Sequence, residues 1–130
     1  KQVIIVDGHS IDNTIKIAED FRSKFEKLGI EYIVVQEPPH EGNVPAIGRN
    51  FGAQFVKTDV IWFLDPDCVP ERKLSIKALE VLKNPKITIY SVVVRDGLGT
   101  LISKAWHFLQ LEIEYDFAPS RCMFVKKWVF

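Results

Sequence analysis

Residues 59–70 read Asp-Val-Ile-Trp-Phe-Leu-Asp-Pro-Asp-Cys-Val-Pro, and they limit the possible folds more tightly than any other stretch of the chain. Val60–Leu64 is an unbroken apolar run, rich in β-branched and aromatic side chains. Such a run predicts a strand buried on both faces, in the middle of a parallel sheet. It closes on Asp65-Pro66-Asp67. Two carboxylates spaced i, i+2 on extended backbone point to the same side and can converge on one object. Pro66 keeps helix from starting between them, and Pro70 suits the first turn of a helix. Two acids at the carboxyl end of a central parallel strand stand where open α/β sheets bind ligands. With no cluster of His or thiolate nearby, they favour a hard cation, Mg2+ or Mn2+, shared with phosphates. The plain alternative is an Asp-Pro turn with two solvated carboxylates.

Residues 3–6 form another short apolar strand that ends on Asp7-Gly8-His9-Ser10. Ser10 or Asp12 is a natural cap for the helix that follows. That helix carries Ile17, Ala18, Phe21, Phe25 and Leu28 at helical spacing and stops at Gly29. Burying Phe21 and Phe25 would contribute about 1.5–3 kcal/mol each, so this face is expected to be core. Asp7 has the same place at the end of its strand as Asp65 has on its own, with a turn or capping Asp as the plain alternative. Residues 30–35 predict a strand, and the Pro- and Gly-rich segment 36–45 a loop in which His40 is solvated. A helix is expected over residues 45–57, with Asn43 as cap. Its Ala46, Gly48, Gly52 and Ala53 allow a close approach to a sheet. Arg49 lies among them, and its guanidinium fork suits phosphate oxygens, unless it is an ordinary exposed helix charge.

Residues 70–82 predict an amphipathic helix with Leu74, Ala78, Leu79 and Leu82 inward, stopped by Asn84-Pro85. Residues 87–94 predict a strand and residues 95–99 a loop. Residues 100–117 predict a long helix in which Trp106 and Phe108 pack and Glu112, Glu114 and Asp116 are solvated. Residues 121–125 predict a last strand. Strand and helix alternate throughout, which argues for one α/β domain with a mostly parallel sheet.

At 130 residues the chain makes one domain, and its formal net charge of zero gives no bulk attraction to nucleic acid or an anionic membrane. No apolar run is long enough for a membrane span. Cys68 and Cys122 are too few and too far apart for a disulfide framework or zinc knuckle, which fits a reducing, cytoplasmic compartment, either free or peripheral to a membrane. The chain opens at Lys1 directly on a strand, as a piece of a longer protein would.

Four motifs together resemble a known family. Val-Asp-Gly-His-Ser-Ile-Asp-Asn-Thr (6–14) resembles the Val-Asp-Asp/Gly-Gly-Ser-Thr-Asp-Asn-Thr signature of family 2 glycosyltransferases of the GT-A fold. Ala46-Ile47-Gly48-Arg49-Asn50-Phe51-Gly52 resembles their Ala-x-x-Arg-Asn-x-Gly helix, and Phe63-Leu64-Asp65-Pro66-Asp67 their Asp-x-Asp motif after an apolar strand. Residues 123–130 look like the strand and basic turn that close the nucleotide half. The motifs occur in the family's order and cover essentially the whole chain.

The resemblance implies a Rossmann-like central sheet flanked by helices, and residues 1–130 as the domain that binds a nucleotide-diphosphate sugar. Asp7 would accept from the base, Asp65 would contact the ribose or a metal-bound water, and Arg49 would support ribose or phosphate. Asp67, with Asp65, would hold the Mn2+ or Mg2+ that bridges the diphosphate. The reaction implied is transfer of the sugar of a UDP- or GDP-sugar to a hydroxyl of a glycan, lipid or protein acceptor, with inversion. Gly8-His9 departs from the commoner Asp-Gly. The family's first strand, expected between residues 3–6 and Val60–Leu64, would precede Lys1, and the general base would follow Phe130. A different class also fits residues 62–69: a haloacid-dehalogenase phosphatase, with Asp65 as nucleophile, Asp67 as acid/base, and Ser91 and Lys104 as partners. A non-catalytic nucleotide-sugar-binding module is the third reading.

Overall fold

The computed structural model describes residues 1–42, 44–92 and 122–129. They fall into two compact units, Lys1–Asp59 and Val60–Val129. The expected helix over residues 100–117 lies outside the described residues, and with it Lys104, Trp106, Phe108, Glu112, Glu114 and Asp116. Asn43 also lies outside them.

In the first unit β1 (Gln2–Asp7) and β2 (Glu31–Gln36) pair in parallel, from Gln2 opposite Glu31 to Asp7 opposite Gln36. The parallel pairing requires a crossover, and helical segments supply it. The predicted single helix is two: α1 (Thr14–Asp20) and α2 (Arg22–Lys27), broken at Phe21. The Phe21 N–H bonds back three residues to the Ala18 carbonyl, a tightened turn that interrupts the α-helical ladder. Gly29 ends the segment as expected, with φ at +67°.

Tyr32 and Ala18 are buried here, and Phe25 stacks on Tyr32 with ring centroids 4.9 Å apart. The Tyr32 hydroxyl donates to the Ala18 carbonyl at 2.7 Å, and Arg22 donates to the Tyr32 carbonyl at 2.7 Å. Ile17, Phe21 and Leu28, expected in the core, are exposed. Helical spacing puts them on one stripe, but Arg22 and Tyr32 anchor the helices through a different face, so the contact with β2 lies elsewhere. The Lys24 ammonium covers the Phe21 ring from 4.5 Å.

The helix α3 (Pro45–Ala53) ends four residues before the expected Lys57 and packs on β1 through its glycines, as their small size predicts. A Cβ built on Gly52 would stand 2.8 Å from Val6 Cγ2, and one on Gly48 would stand 3.7 Å from Val6 Cγ1. At the opposite end of β1, Gln2 donates to Glu31 and to the Phe55 carbonyl, while Lys57 pairs with Glu31 at 2.6 Å.

The second unit holds β3 (Val60–Leu64), α4 (Leu74–Val81), β4 (Ile89–Ser91) and β5 (Cys122–Lys126), followed by a 3-10 turn at Lys127–Val129. Its sheet has the order β3-β5-β4, and both pairings are antiparallel. The expectation of a mostly parallel sheet is therefore corrected. The fold is mixed α/β, with one parallel pair and an antiparallel three-stranded sheet among the described residues. Alternating elements imply parallel neighbours only when each strand joins beside the last through a crossover, and β5 instead inserts between β3 and β4.

The place foreseen for β3 is held by β5. Adjacent residues Phe124 and Val125, which point to opposite faces, are 2% and 1% exposed. In β3, Ile61 and Phe63 are buried while Trp62 and Leu64 stay exposed, so the strand covers one face only. Trp62 stacks on Phe124 at 4.7 Å. Ala78 and Leu82 close the core over Cys122 and Phe124, with Leu74 and Tyr90 packed against them. Leu79, expected inward, is exposed. α4 begins at Leu74 rather than Pro70, because Lys73 at φ +73° turns the chain into the helix. Among the described residues no helix is long and apolar enough to cross a membrane.

Candidate functional site

Asp7 is the only buried charged residue in the described core, 4% exposed, at the carboxyl end of β1. One carboxylate oxygen, Oδ2, accepts the Ser10 N–H at 3.0 Å and the Gln36 side-chain amide at 3.3 Å. The parallel register brings Gln36 there, because it stands directly opposite Asp7. Burial pushes the Asp7 carboxyl up, but the donors from Ser10, Gln36 and the His9 backbone outweigh it and hold its pKa below the ordinary value. The result is a carboxylate kept ionised at a strand end, suited to accept from an N–H or O–H donor.

The turn that delivers Ser10 to Asp7 requires His9 at φ +63°, in the left-handed region. Glycine, the residue commoner at this place in the motif, enters that region freely; an L side chain pays about 1–2 kcal/mol. Neither residue foreseen as cap of α1 holds that place: the N-cap is Asn13, which makes no side-chain capping bond, and Asp12, one residue earlier, accepts the Thr14 N–H at 2.9 Å as well as the Thr14 hydroxyl.

Sequence reasoning missed Glu37 and misplaced His40. The Glu37 N–H donates to the Asp7 carbonyl at 3.0 Å and extends the β1–β2 ladder by one rung. Its carboxylate then lodges where two glycines leave room. A Cβ on Gly8 would stand 3.2 Å from Oε1, and one on Gly48 only 2.6 Å from Oε2. His40, expected in solvent, contacts Glu37 Oε1 through Nε2 at 2.9 Å, and the two side chains are 18% and 13% exposed. The bond to Glu37 raises the His40 pKa against the opposing effect of burial. The available signal was the pair Gly8 and Gly48: a glycine in each motif marks a place where something must approach the backbone closely.

Arg49 follows Gly48 on α3 and is half-buried. Asp7 follows Val6, the residue on which Gly48 packs, so the two candidate residues each lie one position from the same β1–α3 contact.

In the second unit Asp65 and Asp67 follow β3 directly. The Cys68 N–H donates to the Asp65 carbonyl at 3.0 Å and closes the Asp-Pro-Asp turn. Asp65 is half-buried and Asp67 exposed, and the Cys68 thiol lies 3.6 Å from Asp67 Oδ1. Among the described residues there is no group of three or more His, Cys, Asp or Glu arranged to hold a metal ion. The turn itself offers hard carboxylate oxygens. Mg2+ is usually held by one or two carboxylates together with substrate phosphates and water rather than by a protein cage, so the donor set fits such an ion.

A buried Asp ends the first strand and an Asp-Pro-Asp turn follows the third, in the same order as the motifs that resemble family 2 glycosyltransferases. The family model described as Glycosyl transferase family 2 matches residues 1–129, and the chain belongs to that family. Neither the curated proteins nor the solved structures compared with the chain gave a match.

Proposed function

We propose that the chain is the nucleotide-sugar-binding domain of a metal-dependent glycosyltransferase of GT-A type, which moves the sugar of a UDP- or GDP-sugar to an acceptor hydroxyl with inversion. The observation that carries this reading is Asp7, a buried carboxylate held ionised in the first motif of a family that matches almost the whole chain. Asp7 accepts from the base of the nucleotide, and Arg49, half-buried on α3, supports ribose or phosphate. Asp67 and Asp65 would hold Mn2+ or Mg2+, which would supply positive charge against the developing negative charge of the departing nucleoside diphosphate. The thiols of Cys68 and Cys122 accord with a cytoplasmic site of action. The acceptor, whether glycan, lipid or protein, is met by residues other than those assigned here, and so is the base that deprotonates its hydroxyl. The family assignment displaces the phosphatase alternative. In the structure Ser91 donates from its hydroxyl to the Cys122 carbonyl at 3.4 Å, a bond that holds β4 to β5.

Calorimetry with Mn2+ and UDP or GDP tests the reading. Binding of metal and nucleotide should be coupled, and Asp67→Ala should abolish the coupling. Asp7→Asn should weaken the nucleotide by about 1–3 kcal/mol while sparing pyrophosphate with metal. Normal binding of both ligands by Asp67→Ala would overturn the metal assignment, and equal loss of UDP and pyrophosphate in Asp7→Asn would reduce Asp7 to a structural role.

A further inference from the structure

Among the ion pairs of the described residues, Glu37–His40 is well enclosed, its side chains 13% and 18% exposed, and no motif assigned above uses it. Its surroundings are informative. The Glu37 main chain bonds to Asp7, one carboxylate oxygen sits against Gly8 in the loop after β1, and the other sits against Gly48, the residue before Arg49. Glu37 thus touches both segments that carry the candidate nucleotide-binding residues, and His40 holds its carboxylate in place. The other titratable or charged groups flanking these contacts are Asp7 and His9 on the loop, Arg49 on α3, and Glu41, whose carbonyl lies 3.4 Å from His40 Nδ1.

We propose that Glu37 and His40 act as a positioning pair that fixes the loop 7–10 against α3, and so sets the affinity of the domain for a nucleoside diphosphate. This rests on the reading that Asp7 and Arg49 bind the nucleotide. Neither Glu37 nor His40 touches the ligand; each acts through the two glycine contacts. With a protonated imidazole the contact is charge-assisted and the wedge is tight. The sign follows from the raised His40 pKa. The ionic contact is fully present below the ordinary imidazole value near 6.5, and is lost as pH rises through the raised value.

The test uses the whole chain, Mn2+ and UDP, with calorimetry at about pH 6 and about pH 8, on either side of the imidazole range. The variants are Asp7→Asn, Glu37→Gln and His40→Gln. Glu37→Gln should weaken UDP about fivefold at the lower pH, the difference between a charge-assisted and a neutral hydrogen bond. The deficit should shrink as pH rises through the raised His40 value and the wild type loses its imidazole proton. His40→Gln should remove the part of the pH profile that UDP's own ionisation does not explain. A ligand-free readout accompanies this: the backbone amide resonances of Gly8 and Gly48 should shift with the His40 titration in the wild type and stay still in His40→Gln. Wild-type affinity in Glu37→Gln at both pH values, with Asp7→Asn still weakened, would overturn the pair's role and leave the nucleotide reading standing. Unchanged binding in Asp7→Asn would overturn the reading and this proposal together. Should Glu37→Gln not fold, glycine resonances that ignore the His40 titration would overturn the proposal by themselves.

Discussion

Gly52→Ala probes how closely α3 lies on β1. In an unobstructed helix the change stabilises, because alanine is favoured over glycine by about 0.8–1.0 kcal/mol. Here the new Cβ would stand 2.8 Å from Val6 Cγ2 and 3.9 Å from Ile4 Cγ2. Real Cβ contacts essentially never fall under 3.0 Å, so something must move. Val6 cannot turn away cheaply: its branched side chain is stiff at χ1, and its backbone is paired with Val35 in β2. The strain of overpacking is typically about 1–3 kcal/mol, which outweighs the helix propensity and leaves Gly52→Ala less stable by about 1 kcal/mol. Gly48→Ala is the internal comparison. Its Cβ would be closer still to a neighbour, 2.6 Å, but that neighbour is Oε2 at the far end of the flexible Glu37 side chain. Glu37 can swing aside at the cost of its hydrogen bond to His40, about 1 kcal/mol, which the gain in propensity offsets. Gly48→Ala should therefore stay near wild-type stability. Urea unfolding followed by far-UV circular dichroism reads both, with unchanged m as the check that only stability moved. A Gly52→Ala variant more stable than wild type would refute the close approach, and equal losses in both variants would refute the distinction between a stiff neighbour and a flexible one.

Three further outcomes follow from the same geometry. His9→Gly should stabilise by about 0.5–1 kcal/mol, the relief of left-handed strain less the extra freedom of glycine in the unfolded chain, read as a higher urea midpoint. Tyr32→Phe should cost about 0.5–1 kcal/mol, the low end for a buried hydrogen bond, because the Ala18 carbonyl keeps the Phe21 N–H as a second donor; a loss above about 3 kcal/mol would show that the hydroxyl does more than this bond. Because the folded pKa of Asp7 lies below its ordinary 3.8, its contribution to stability is fully present above that value and fades as pH falls through the folded one; urea midpoints from neutral pH down to about pH 2.5 should fall less steeply in Asp7→Asn than in wild type.

Much of the first unit was legible because its determinants are local. Gly29 at the left-handed end of α2, Pro45 opening α3, and Gly48 and Gly52 where a helix meets a sheet each state a backbone or packing requirement that a single residue type satisfies. The motif around Asp7 was legible as a strand end, and the family match agrees with it. Glu37 and His40 were not legible, since a Glu in a Pro-rich loop looks solvated until the chain shows two glycines making room for it.

Among the described residues, what the sequence alone determined is roughly which segments are strands and helices and where the candidate carboxylates stand on them: Asp7 at the end of β1, Asp65 and Asp67 after β3. What only the tertiary structure decided is which strands are neighbours and which apolar faces are covered. An apolar run such as Val60–Leu64 reads alike whether it is buried on two faces or one, because hydrophobicity records the tendency to leave water and not the partner that makes leaving possible. β5 became the doubly covered strand by running antiparallel between β3 and β4, a pairing between residues far apart in the chain, such as Trp62 opposite Phe124 and Ile89 opposite Val125. In the same way Ile17, Phe21 and Leu28 carry the periodicity of a core face yet stay exposed, because Tyr32 bonds Ala18 and Arg22 grips the Tyr32 carbonyl, and those contacts fix which side of the helices meets the sheet.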